Sequence, residues 1–158
     1  MQKTNAMRRL DTAKISYEAL AYEVDESDLS GTHIASSLGL PCETVFKTIV
    51  THGDRGGHYV FCLPVDAELD LKKCAVLVRE KRLELIPVKD ILPLTGYLRG
   101  GCSPIGMKKV FPTVIHESAM HLPHIHVSGG LRGLQLRIDP FALCTLIGAS
   151  YGDVVRTD

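Results

Sequence analysis

The chain has 158 residues, enough for one ordinary domain of roughly 100–150 residues with a core of its own. Its composition is 45% hydrophobic and 23% charged with 14 Gly and 8 Pro, which excludes the disordered and collagen-like classes. Lys plus Arg and Asp plus Glu number 18 each, so no global field draws the chain onto RNA or an anionic membrane, and any nucleic-acid contact has to be local.

No run reaches the ~18 apolar residues that a bilayer span needs, and no apolar stretch follows Arg8 and Arg9 near the N-terminus. A cytoplasmic protein without a membrane partner is expected. Cys42, Cys62, Cys74, Cys102 and Cys144 are an odd number at wide spacings with no C-x-x-C pair. Reduced thiols fit this pattern better than a disulfide framework or a thiolate metal site.

Taken in chain order, Ala6, Met7, Leu10 and Ala13 at three- and four-residue spacings predict an amphipathic helix from Thr4 to about Lys14, and Ser16 to Val24 follows as a strand. Thr32 to Leu38 reads as a helix closed by Gly39, with Pro41 preventing continuation. Val45 to Val50 and His58 to Leu63 are two strands joined by the turn Gly53 to Gly57, a hairpin with a long loop. Asp70 caps a helix over Leu71 to Val78, and Pro87 to Leu92 forms a shorter one. Gly96 to Lys109 is irregular. Strands are then expected at Thr113–His116, His124–Val127 and Leu134–Ile138, a helix from Pro140 to Ile147, and a last strand around Asp153–Val155. Several connections are too short for parallel crossovers, so the expected fold is α/β of the α+β kind: a mixed, largely antiparallel sheet with packed helices. With no repeat, charge block or linker, residues 1–158 read as one domain.

Three segments carry candidate chemistry. Lys47 lies inside the apolar strand Val45-Phe46-Lys47-Thr48-Ile49-Val50, and lysine is rarely buried unless paired. Either strand alternation sends it to solvent, or it is a cationic pocket residue that holds a phosphate or carbonyl oxygen. Gly96 to Lys109 is a glycine-rich loop whose backbone can approach a ligand closely and whose paired lysines can add phosphate contacts; it lacks the G-x-x-x-x-G-K-[ST] pattern, and a plain structural loop is an equal reading. Val127-Ser128-Gly129-Gly130-Leu131-Arg132-Gly133-Leu134-Gln135 is a strand entering a glycine turn with a hydroxyl and a guanidinium, where a tight turn alone explains the glycines; Ser128 is not in a G-x-S-x-G elbow. His124 and His126 share a strand face, but no Cys or acidic companion completes a metal site, and nothing local marks Cys102 as an activated nucleophile.

In this order, Val45-Phe46-Lys47-Thr48, Gly96-Tyr97-Leu98-x-Gly100-Gly101-x-Ser103-Pro104-x-Gly106-x-Lys108-Lys109 and Val127-Ser128-Gly129-Gly130-x-Arg132-Gly133, with Leu69-Asp70-Leu71-Lys72-Lys73 as a fourth marker, resemble the YbaK/EbsC family. That family is the free-standing relative of the prolyl-tRNA synthetase editing domain. The resemblance runs from about Ser16 to the C-terminus and implies the family's fold and a deacylase that removes cysteine from mischarged Cys-tRNA(Pro). No cofactor or metal is implied, the partner is the acceptor end of an aminoacyl-tRNA, and docking on prolyl-tRNA synthetase is left open.

By the same resemblance Lys47 looks like the family's essential lysine, Thr48 its pocket neighbour, Tyr22 the pocket tyrosine, Gly101 the loop backbone donor beside Gly100, and Ser128 the hydroxyl near the substrate. Arg132 falls within the third motif. Gln135 stands where some members have an acidic residue. The family's chemistry uses no protein nucleophile: the thiol of the bound cysteine attacks its own ester carbonyl, which frees the ribose and forms a cyclic thiolactone, with the Gly101 N–H expected on the oxyanion. Removal of alanine from proline tRNA, or a non-catalytic tRNA- or nucleotide-binding module, are the alternative readings.

Overall fold

The computed structural model describes residues 2–157. Its elements in chain order are α1 (Asn5–Thr12), β1 (Glu18–Ala21), α2 (Gly31–Leu38), β2 (Phe46–Gly53), β3 (His58–Pro64), α3 (Leu71–Val78), β4 (Leu83–Leu85), α4 (Val88–Thr95), β5 (Thr113–His116), β6 (Ile125–Ser128), β7 (Leu134–Ile138), α5 (Pro140–Ile147) and β8 (Ser150–Gly152). The strands form two sheets instead of the one expected: three strands in the order β1-β7-β6, and five in the order β4-β2-β3-β5-β8. Pairing is antiparallel except where β5 lies parallel to both β3 and β8.

The two sheets meet where the chain enters β2, through a parallel bridge between Val45 and His126. Phe46, Val50, Val60, Cys62 and Ile115 of the larger sheet share one core with Val127, Leu136 and Ile138 of the smaller, closed by Leu10 of α1 and Leu143 of α5. On the opposite face of β3, Phe61 and Leu63 pack with Cys74 and Ala75 of α3 in a second core. Burial of both faces explains why β3 reads as a continuous apolar run and not as an alternation.

Local capping sets most boundaries. Thr4 accepts from the Met7 N–H at 3.1 Å, Asp70 accepts from Lys72 and Lys73 at 3.0 Å each, and Asp139 accepts from Phe141 at 2.9 Å. Gly39 closes α2 at φ 65°, a left-handed conformation that costs glycine little. Four expectations shift. α4 runs on to Thr95 with Pro93 inside it, held by the Thr95 hydroxyl donating to Ile91 O at 2.7 Å, where a stop at Leu92 was expected. β1 is shorter than Ser16–Val24 because the residues after Ala21 leave the sheet edge, with only the Tyr22 N–H still bonded to Gly133 O. The last strand lies at Ser150–Gly152, parallel to β5, and Val155 forms a single bridge to Leu69. β4 was not expected at all, since three residues give no measurable period.

His126, 3% exposed, brings the smaller sheet's hydrogen bonding to this seam. Arg137 Nε donates to its Nε2 at 3.1 Å, so the proton sits on Nδ1, which faces Thr44 O at 3.1 Å, and the ring is neutral. Burial lowers its pKa, as it does that of His116. Between those lowered values and about 6.5 the unfolded chain binds more protons than the folded one, so stability is lost as pH falls below about 6.5. Thermal midpoints recorded from pH 7 to pH 5 should therefore fall, and the His126→Asn variant should fall less steeply than the parent; equal slopes would remove this histidine from the linkage.

Candidate active site

A cavity of about 430 Å³ opens at the seam between the sheets. One wall is β2 with Lys47 and Thr48, the facing wall is Ser128 of β6 with Gln135 of β7, and the loop carrying Arg99, Gly100 and Cys102 forms a third side. Ser128 and Gln135 are register partners, so the hairpin turn between β6 and β7 brings both to the same edge. An apolar lip of Leu85, Val88 and Ile91, with Leu85 55% and Val88 56% exposed, borders the opening.

Lys47 is half-buried. Its ammonium donates to Ala67 O at 2.6 Å and to Val65 O at 3.5 Å, two carbonyls just beyond the end of β3. An ammonium has three N–H donors, so one remains for a ligand in the cavity. Desolvation lowers its pKa, while the nearby Glu68 and Asp66 oppose that shift. Of the two readings open at the strand level, solvent or pocket, the side chain takes the pocket. Both sides of the chain are covered here, with Val45 packed on Ala35 and Val65 and Phe46 in the shared core.

Gln135 is 3% exposed, lines the cavity, and its Oε1 has no partner among the described residues. An unpaired buried acceptor costs roughly 1–3 kcal/mol, and a ligand donor would recover it. The Ser128 hydroxyl accepts from the Gly130 N–H at 3.2 Å and keeps its own proton to donate. Thr48 Oγ1 lies 3.9 Å from Cys62 Sγ. Cys102 also lines the cavity, and burial pushes its pKa to about 11. Burial thus works against the thiolate that a nucleophile needs.

Lys47, Thr48, Gly100, Ser128 and Gln135 are thus brought together, while Tyr22, Gly101 and Arg132 are not among the lining residues. Tyr22 lies just past β1, its N–H donating to Gly133 O. The Gly101 N–H donates to Leu98 O at 2.9 Å, so in this arrangement it is spent inside the loop and cannot also serve an oxyanion. A Cβ at Gly101 would meet Arg132 N at 2.9 Å and Leu131 C at 3.0 Å, both backbone atoms. The glycine lets loop 99–102 lie against loop 129–133. Arg132 fastens the same contact, donating from Nε to Arg99 O at 2.7 Å and pairing with Glu26 at 3.2 Å. The fourth motif is also away from the cavity: Lys73 binds Asp153 at 2.8 Å and Val155 O at 2.7 Å. The apolar lip from β4 and α4 was missed in the sequence, where its residues look like ordinary core positions. Among the described residues no group of three or more His, Cys, Asp or Glu could hold a metal, and no helix is long and apolar enough to cross a membrane.

Residues 31–146 match the model of the aminoacyl-tRNA editing domain, a stretch that contains every cavity residue but Leu29. The chain belongs to the aminoacyl-tRNA editing domain family. It is 42% identical over 157 residues, 99% of this chain and 96% of the relative, to an Enterococcus faecalis protein that carries the name Cys-tRNA(Pro)/Cys-tRNA(Cys) deacylase EbsC. Two solved structures share the fold: one described as a trans-editing enzyme for prolyl-tRNA synthetase (24% identity, TM-score 0.82, 99% of this chain and 100% of that one) and one of a hypothetical protein (20% identity, TM-score 0.88, 97% and 100%). The mixed α/β architecture of the editing domain is therefore the one expected from the sequence, divided into two sheets.

Because a Cβ at position 101 presses on backbone and not on a flexible side chain, the editing domain should resist Gly101→Ala. Overpacking of this kind costs about 1–3 kcal/mol. Urea unfolding of the variant should show that loss, and an unchanged midpoint would mean the two loops are free to part.

Proposed function

We propose that this editing domain removes cysteine from mischarged Cys-tRNA(Pro), acting as one unit over residues 1–158 in the cytoplasm. The observation that carries the reading is the meeting of a half-buried ammonium, a glycine loop and an unpaired buried acceptor in one cavity. These are the three features that an aminoacyl ester, with its ribose or phosphate oxygens, its carbonyl and its α-ammonium, would engage. The relative's name and the family it belongs to support the same chemistry.

Lys47 supplies the remaining N–H to the oxygens of the terminal adenosine. Gln135 Oε1 accepts from the α-ammonium, a neutral acceptor in the place of a carboxylate. The backbone N–H groups of Gly100 and Cys102, which flank the committed Gly101, stand beside the ester carbonyl and take the oxyanion role expected of Gly101. One well-placed donor of this kind contributes roughly 10²–10³-fold.

In the reaction the substrate's thiol loses its proton to solvent and its sulfur attacks the ester carbon. The tetrahedral oxyanion then collapses, the C–O bond to the ribose breaks, and the ribose oxygen takes up a proton. The product is a four-membered thiolactone, which water opens to cysteine. Because the nucleophile is tethered to the electrophile, orientation supplies much of the rate, and the protein's work is to hold the acyl group bent. Thr48 and Ser128 bound the space around the side chain, and the apolar lip covers the adenosine. Prolyl-tRNA synthetase fits as a docking partner that delivers the tRNA.

Purified protein incubated with Cys-, Ala- and Pro-tRNA(Pro) tests the proposal: release of cysteine alone is expected, alanine release would favour the alanine-editing reading, and no release would favour a binding module. Lys47→Ala should cut kcat/KM for Cys-tRNA(Pro) by at least about a hundredfold with circular dichroism unchanged. Full activity would contradict the assignment. Cys102→Ser should retain activity, and its loss would move the nucleophile onto the protein.

A further inference from the structure

The zero formal charge of the chain hides a segregation. Residues 18–28 carry five carboxylates, Glu18, Glu23, Asp25, Glu26 and Asp28, and no Lys or Arg. Residues 1–14 carry Lys3, Arg8, Arg9 and Lys14 against Asp11 alone, and from Ile91 to His116 there is no acidic residue but Arg99, Lys108 and Lys109. The fold joins the two basic segments. Asn5 Nδ2 donates to Gly106 O at 2.7 Å, which ties loop 104–111 to α1, and the Tyr97 hydroxyl donates to Ile105 O at 2.6 Å, which braces the loop from within its own segment.

Between them lies a second cleft of about 360 Å³. Arg9 and Lys109 stand in its wall, with Met107, Phe111 and Ile147 as apolar floor. Both cations are exposed, and among the described residues neither is ion-paired; nor are Arg8 and Lys108 beside them. Lys3, by contrast, is spent on Asp11. The two cavities share one loop: Cys102 lines the first and Pro104 the second, at most about 7 Å apart between Cα atoms.

We propose that this cleft binds the sugar-phosphate backbone of the tRNA acceptor end whose ester enters the first cavity, with Arg9 and Lys109 on phosphates and Phe111 and Met107 under a base or ribose. The proposal rests on the reading of the first cavity as the ester site. Unpaired cations over an apolar floor are the chemistry that tracks a single strand, and a contact confined to two or three phosphates is what a chain of zero net charge can supply. It gives the editing domain affinity for the tRNA end apart from any synthetase.

The test is the Arg9→Ala/Lys109→Ala double variant, with Lys81→Ala/Arg82→Ala, which removes the same charge elsewhere on the surface, as control. Two substrates are compared, Cys-tRNA(Pro) and 3′-O-cysteinyl-adenosine, which lacks the trailing phosphates. Binding of uncharged tRNA(Pro) is followed by fluorescence anisotropy from 50 to 300 mM salt. For the double variant, KM for Cys-tRNA(Pro) should rise about tenfold and the slope of log K against log salt should shrink by about 0.7 for each phosphate no longer neutralised, while cysteinyl-adenosine is cleaved as before. The control should stay near the parent on all three readouts. Parental tRNA affinity and slope in the double variant would overturn the proposal, as would equal losses in the control or an equal loss on cysteinyl-adenosine. If the parent binds uncharged tRNA through Arg9 and Lys109 but releases no cysteine from either ester, the deacylase reading fails and the phosphate contact stands.

Discussion

The site depends on one placement: an ammonium drawn out of water at the seam of two sheets and held there by backbone carbonyls. Lys47 is not neutralised by a close carboxylate. It is held by the carbonyls of Val65 and Ala67, with Asp66 and Glu68 as more distant counter-charges. Such a cation keeps unspent charge and one unspent donor, which an ion pair would have consumed. The carbonyls are themselves fixed, since Val65 N–H donates to Val45 O, Asp70 N–H to Val154 O and Arg156 N–H to Glu68 O. The C-terminal residues therefore brace the turn that braces the lysine, and Lys73 of the Leu69–Lys73 motif holds the same C-terminal segment through Asp153 and Val155 O.

The opposite wall follows a different rule. Ser128 and Gln135 need only the register of one hairpin, but the loop between Leu98 and Cys102 has no sheet to hold it. It is fastened by the Arg132 side chain on Arg99 O and by the close approach that a missing Cβ at Gly101 permits. Gly101 and Arg132, which a motif match would mark as functional and which lie outside the cavity, thus act by setting where Gly100 and Cys102 stand.

Elements with a strong local signal were legible in the chain. The cap at Asp70, the glycine stop at Gly39 and the β2–β3 hairpin all rest on neighbours a few residues apart. The residues that gather at the cavity could be named only because their motifs resembled a family. Nothing in the period of β2 says which way Lys47 turns, since that depends on the Val45–His126 bridge across 81 positions of chain. Gly101 shows the limit in the other direction. A glycine loop suggests free N–H groups, yet the partner of this N–H is Leu98 O three residues back, a contact that composition does not announce. The apolar lip of Leu85, Val88 and Ile91 was illegible for a similar reason, because exposure of apolar side chains is a property of the surface and not of the sequence pattern.

The central claim is that Lys47, loop 99–102 and Gln135 close on the acyl end of the substrate. Its most direct test is a crystal structure with 3′-deoxy-3′-cysteinylamino-adenosine, in which an amide replaces the ester. The account predicts the ligand in the seam cavity, with its α-ammonium within hydrogen-bond distance of Gln135 Oε1, its carbonyl oxygen facing Gly100 and Cys102, and Lys47 Nζ on an adenosine oxygen. A ligand seated elsewhere, or one that leaves Lys47 bonded to Val65 and Ala67 alone and Gln135 unpaired, would contradict it.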